Sequence, residues 1–443
     1  MKNRFYFKKI FILLTLAAFA ASSGYAQSQN LSNPRQEKLL NGLKILMWND
    51  AQANVVSVKI RVHSGSAFDP QGKEGVMQLL ADNIFPSESV KEFFTDDLGG
   101  SLEIITNHDY IQINATAKSE EFITMIETLA NAVSKPTIDK ETTAKLRSVR
   151  LEKLKELEKN PAHVADQAVA KRLLGTFPYG RPVTGTVESL QKIDFADLIF
   201  AKDRFFTADN ATIAVTGNFK PDLAFRAVRR YFSAWIKSDK RVPSTFKQPD
   251  EPDIKPFGVK IPTVGNSEVR YALRGLARND ADFAASKILS KILLIRLRNF
   301  APGDHASNFT VRQDEHILPG SLIFGYTSKQ SPVVAMTAGE SFGSDKRPVN
   351  LPNNPVSAIL SQQVGQEEFI KAKAEVLSEI KTKSVEDWWL DVDTFRLVSV
   401  ANELQSFDTA TPTDVQRVAD KLSKNPVVLV SVIQTGEDAN TKH

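Results

Sequence analysis

The sequence predicts an α+β fold of two homologous domains, each an antiparallel-rich sheet with helices packed on one face. Three observations lead there. Short β-branched runs that alternate with period two are interleaved with longer runs of helical spacing. A polar stretch over residues 237–256, carrying Pro243, Pro249, Pro252 and Pro256, interrupts the pattern and has the composition of a linker. After it the pattern restarts and closes as the first half closed. A helix near 195–206 and a strand at 211–215 are matched by a helix at 413–420 and a strand at 427–432. The expected limits are a leader at 1–26, a first domain at 31–236, the linker at 237–256 and a second domain at 257–436.

In chain order, residues 41–47 follow a turn signal and alternate as a strand, and 55–62 form a second, β-branched strand. Residues 72–85 read as a helix, with Val76, Leu79, Leu80 and Ile84 at helical spacing. Gly99 and Gly100 turn the chain into paired strands at 101–106 and 110–117. In the second of these Ile111, Ile113 and Ala115 alternate with Gln112, Asn114 and Thr116, which gives one buried face. Helices follow over 119–133 and 139–159, the latter ended by Asn160-Pro161, and over about 164–174. The second half offers a strand at 267–273, a helix at 280–298, strands near 308–312 and 321–326, and helices from Glu367 onward. Of the pair Trp388-Trp389, one ring is expected to be buried and the other partly exposed.

Composition narrows the function. A chain of 443 residues with no cysteine has room for two or three cores but no disulfide, thiolate metal site or cysteine nucleophile. Lys2, Arg4, Lys8 and Lys9 precede an apolar run over 10–21, and Gly24-Tyr25-Ala26 supplies small residues for cleavage, so residues 1–26 read as a secretory signal and the protein as exported, to the periplasm. No later run approaches about 20 apolar residues, so no membrane span is expected after signal removal. The whole chain carries 56 − 52 = +4, and the four leader cations account for all of it. The remainder balances, which removes the electrostatic footprint of a nucleic-acid binder. Arg226, Arg229, Arg230 and Lys237 read as the solvated face of a helix. There is no phosphate-binding loop, dinucleotide fingerprint or G-x-S-x-G elbow.

Several phrases, in order, carry a resemblance. They are Asn41-Gly42-Leu43 with Val55, Ser57 and Val58; Gly65-Ser66 with Lys73-Glu74-Gly75-Val76; Asp97-Leu98-Gly99-Gly100; and Asn210-Ala211-Thr212 with Gly217. The most specific is Pro178-Tyr179-Gly180-Arg181-Pro182-Val183, continued by Gly185-Thr186 and Glu188-Ser189-Leu190. Together they resemble the insulinase/pitrilysin family of zinc peptidases, whose motif is the inverted H-x-x-E-H. The resemblance implies two domains facing each other across a chamber, and short members that work as pairs with one chain catalytic.

The same resemblance places Gln78 and Asp82 where the two histidines would stand, and Ala81 where the glutamate base would stand. Lys153, or by a one-residue shift Glu152, falls where the third ligand would come. Zinc hydrolysis needs about three protein ligands and a base. The expected cofactor is therefore none, although the family implies zinc. The six histidines, His63, His108, His163, His305, His316 and His443, show no zinc-ligand spacing. His108-Asp109 reads as a turn pair rather than a proton relay.

The resemblance also implies substrate contacts at Ser101, Leu102, Glu103 and Ile104, and a gripping arginine at Arg298. The tyrosine that should accompany that arginine has no match. The reading is a non-catalytic peptidase homologue, a pseudoenzyme, that binds peptide or unfolded polypeptide. It would pair with a catalytic homologue as a heterodimer, or self-associate. The alternatives are a metalloendopeptidase using Gln78, Asp82 and Glu152, and a structural or peptide-binding protein with no catalytic partner.

Overall fold

The computed structural model describes residues 33–238, 242–243, 245–300, 306–329, 355–434 and 436. The predicted leader lies outside them, as do residues 301–305.

The first half builds a sheet from β1 (Arg35–Lys38), β2 (Lys44–Asn49), β3 (Val55–Val62), β4 (Ser101–Thr106), β5 (Ile111–Lys118) and β6 (Ala211–Gly217), in the order β1-β2-β6-β3-β5-β4. The second half builds one from β7 (Phe257–Ile261), β8 (Ser267–Arg274), β9 (Ala306–Gln313), β10 (Ser321–Ser328) and β11 (Val428–Gln434), in the order β7-β11-β8-β10-β9. With β1 set aside, the two orders are the same. β2 lies parallel to β6 as β7 lies parallel to β11, and every other pairing is antiparallel. The two similar units read from the sequence thus share one strand topology.

Helices fill corresponding gaps. Between β3 and β4 stand α1 (Val76–Ile84) and α2 (Glu88–Asp96). Between β5 and β6 stand α3 (Phe122–Ser134), α4 (Lys140–Leu157), α5 (Pro161–Leu174), α6 (Val187–Gln191) and α7 (Phe195–Phe205), and α8 (Pro221–Phe232) follows β6. In the second half α9 (Phe283–Phe300) lies between β8 and β9. Between β10 and β11 are α10 (Pro355–Leu360), α11 (Gln366–Ile380), α12 (Val385–Phe395), α13 (Val400–Thr409) and α14 (Pro412–Leu422). Period-two alternation sends Val56, Val58, Ile60 and Val62 of β3 into the core against Leu79, Met125, Leu129 and Val228 from the helix layer.

The opposite face of each sheet also receives a helix, from the other half. On the first sheet, Lys44, Lys59, Arg61 and Gln112 face outward and meet α12. Arg61 Nη1 donates to Asp391 at 2.6 Å, Lys59 Nζ to Asp387 at 2.5 Å and Lys44 Nζ to Asp393 at 2.8 Å. Arg61 is only 2% exposed and Gln112 5%. Beside this ionic zone Trp389 meets Trp48 edge-on, with ring centroids 6.3 Å apart, while Trp388 is buried. On the second sheet, α5 sets Ala165, Val169 and Leu173 against Val428, Val430 and Val432. There Asp166 accepts from Arg270 of β8 at 2.6 Å. Phe246, within the 237–256 stretch, packs on Phe68 and Phe177.

Removing one member of a buried pair strands the other in a dry site. Asp391→Ala is expected to destabilise the protein by about 3–5 kcal/mol, read as a lower urea midpoint at unchanged m-value.

Candidate functional site

The site is built from the start of α1. The chain turns into the helix at Gly75, whose φ of +100° suits glycine. The Gly75 and Met77 amides donate to the two oxygens of the Asp69 carboxylate, at 2.7 and 2.8 Å. Residues 178–190 buttress this turn. Ser189 Oγ donates to the Glu74 carbonyl at 2.8 Å, and the Arg181 guanidinium donates to the Asp69 and Ala67 carbonyls at 2.9 and 3.2 Å. At Gly185, φ +75°, a Cβ would stand 2.2 Å from the Glu74 oxygen. The residues that carry the most specific resemblance thus fix how α1 begins.

On α1, Gln78 and Asp82 lie one turn apart and both are half-buried, while Ala81 is fully buried. Both oxygens of Asp82 accept from the guanidinium of Arg150 on α4, through Nε and Nη2. Gln78 Nε2 lies 3.5 Å from Asp82 Oδ1. Lys153, one turn past Arg150, lines the same pocket of about 180 Å³ together with Ala81, Asp82, Phe85, Leu102 and Ile104. Glu152 points away and holds Lys155 at 2.8 Å. The residue that reaches Asp82 is therefore Arg150, which sequence register alone did not single out.

This donor set does not fit zinc. The amide of Gln78 is a poor ligand, Ala81 has no lone pair, and both Asp82 oxygens are spent on a cation that already sits there. Among the described residues, no group of three His, Cys, Asp or Glu side chains is placed to hold a metal ion.

The other sequence candidates divide. β4 pairs with β5 on one side and forms the edge of its sheet on the other. Leu102 and Ile104 face the pocket. Ser101 and Glu103 face the other way, toward Thr116 at 2.9 Å and Asn114 at 3.2 Å. Arg298 is exposed on the last turns of α9 and is not among the residues lining the pocket. Its neighbour Arg296 is buried and bound to the carbonyls of Ile359, Gln362 and Gln363.

One cluster was not foreseen. His108-Asp109 does form the turn between β4 and β5, yet Asp109 also receives the Tyr179 hydroxyl at 2.8 Å and lies 2.8 Å from His316 Nδ1 of the second half. Tyr179 stacks on His316 at 4.1 Å and His108 meets His316 edge-on at 5.0 Å. Residues this far apart in the chain leave no spacing signal.

Two sheets of one topology, each clasped by a helix of the other half, define a duplicated α+β fold. Comparisons agree. Residues 44–187 match the insulinase (peptidase family M16) pattern and residues 192–298 that of the peptidase M16 inactive domain. The chain belongs to the M16, or insulinase, peptidase family. A protein of Rickettsia bellii described as a zinc protease is 23% identical over 209 residues, which is 46% of this chain and 50% of that one. The chain spans about half the length of the curated relatives it matches first. The peptidase M16 inactive domain structure from Pseudomonas fluorescens superposes with a TM-score of 0.77 at 18% identity, covering 92% of this chain and 99% of that one. The periplasmic protease PqqL of Escherichia coli gives 0.67 at 15%, covering 92% and 49%. These likenesses show the fold.

Two outcomes are expected. Gln78→His, Ala81→Glu and Asp82→His together leave zinc substoichiometric by mass spectrometry, because Arg150 and Lys153 still hold the position with positive charge. Adding Arg150→Ala and Lys153→Glu raises the zinc content. Burial, then the nearby His316, holds the His108 ring down to about 4. A ring depressed in the folded state contributes stability that is full above about pH 6.5 and is lost as pH falls toward 4. The melting temperature should therefore drop across that window, and drop less in His108→Asn, which cannot titrate.

Proposed function

We propose that this chain is a non-catalytic member of the M16 family that grips extended polypeptide and works beside a catalytic, zinc-binding homologue in the periplasm. The observation that carries the reading is the Asp82–Arg150 ion pair standing at the motif position, with Ala81 where the base would be. A hydrolytic site there would need both a metal and a proton acceptor, and the side chains present supply neither role. The open edge of β4 supports the binding half of the proposal. An edge strand presents unpaired N–H and C=O groups to which an extended peptide can add as a further strand.

The same reading takes residues 31–236 and 257–436 as the two domains and 237–256 as the linker between them. It assigns Arg298, exposed on α9, to contact with polypeptide held by the paired homologue. The leader at 1–26 directs the chain outward, and one structural relative is described as a periplasmic protease.

Metal content by mass spectrometry on protein purified without chelators, run with a quenched-peptide assay with and without zinc, tests it. The expected outcome is no stoichiometric metal and no cleavage, with cleavage appearing when a homologue bearing intact H-x-x-E-H is added and forms a complex. Stoichiometric metal together with cleavage that is lost on Asp82→Ala would overturn the reading.

A further inference from the structure

The pocket beside the Asp82–Arg150 pair has a charge that its own residues do not cancel. Leu102 and Ile104 of β4, with Phe85 and Val149, give it apolar walls, and its volume is about 180 Å³. The two carboxylates on its lining are both taken: Asp82 by Arg150, and Glu88 by Lys91 at 3.0 Å. Lys153 has no ion-pair partner among the described residues. The carboxylates nearest to it along α4, Glu152 and Glu156, hold Lys155 and Lys159 at 2.8 and 2.7 Å. One exposed ammonium is therefore left over, next to a strand edge with unpaired backbone groups.

A peptide added to β4 would send every second side chain to the side that Leu102 and Ile104 occupy, because side chains alternate along a strand. We propose that the pocket receives a carboxylate of such a peptide, and that Lys153 selects it. This rests on the peptide-binding reading above and names the substrate class for that site. The carboxylate belongs either to an Asp or Glu side chain or to the peptide C-terminus, and the chemistry is the same for both. The geometry also sets the strength. Lys153 is a flexible, solvent-exposed point charge, so the preference is modest and is screened by salt.

The test is fluorescence anisotropy with labelled extended decapeptides that carry no other charge. One pair differs as internal Glu against Gln, the other as C-terminal acid against amide. At low salt the full-length protein should bind the acidic member about fivefold more tightly in one of the two pairs, and that pair identifies the source of the carboxylate. The preference should shrink in about 0.5 M salt, vanish in Lys153→Met, persist in Lys153→Arg, and persist in Lys155→Met, whose side chain lies outside the pocket. Peptides that bind without a preference, or a preference that survives Lys153→Met, overturn the carboxylate assignment and leave peptide binding standing. Failure of every peptide to bind the folded wild-type protein overturns the peptide-binding reading itself.

Discussion

The exchange of one helix between the two sheets is the constraint on which the rest of the molecule depends. Each sheet has an outer face that its own half leaves uncovered, and the other half closes it. The two closures differ in kind. α5 meets the second sheet through aliphatic side chains that are fully buried, and each such Val or Leu contributes about 1.5–3 kcal/mol. α12 meets the first sheet mainly through carboxylates that find Lys44, Lys59 and Arg61. Desolvating those charges consumes most of what their attraction returns, so the ionic closure fixes orientation while the aliphatic closure supplies the binding energy. Neither half is complete alone, and β3 and β5, which carry β4 and hence the pocket wall, are held from both faces.

The candidate site rests on how α1 is seated and on what meets Asp82. Arg181, Gly185 and Ser189 seat the turn at Gly75 and so fix where α1 starts. A guanidinium answers the Asp82 carboxylate with two parallel hydrogen bonds, and in doing so cross-links α1 to α4 as a shared metal would. The pair sets a positive charge between the two helices and leaves neither Asp82 oxygen open.

Much of this was legible in the sequence because it is periodic. β3, β4 and the long helices follow from alternation and spacing, and Asn160-Pro161 marks the stop after α4, although α5 starts at Pro161 rather than near 164. β1 and α2 escaped because they are short. β1 has four polar residues, and α2 is announced by little more than Ser87 as its cap. The polar face of β5 was misleading for a different reason. Gln112 and Asn114 alternate as solvent-facing residues do, yet Gln112 is buried, because the cover is a charged helix from the far end of the chain. Arg150 was missed in the same way. Which residue of α4 reaches Asp82 depends on how two helices slide together, and no local pattern encodes that.

The two sheets treat their equivalent edges differently, and the difference bears on function. An exposed edge strand invites unwanted pairing, and proteins blunt it with bulges, charges or proline. β9 is blunted: its register with β10 shifts between Gly325 and Thr327, Asn308 adopts a left-handed conformation at φ +52°, and Arg312 on the strand is tied to Asp166 and Asp314. β4 is not. It pairs with β5 in unbroken register over all six residues, carries no proline or lysine, and keeps its single charge, Glu103, turned toward Asn114. Guarding one edge while leaving the topologically equivalent one straight is hard to explain by stability alone, since the same devices were open to both. The straight edge is the one that borders the pocket, and the nearest uncompensated charge, Lys153, stands beside it rather than on it. An edge kept regular next to a cavity is what strand addition by a polypeptide requires.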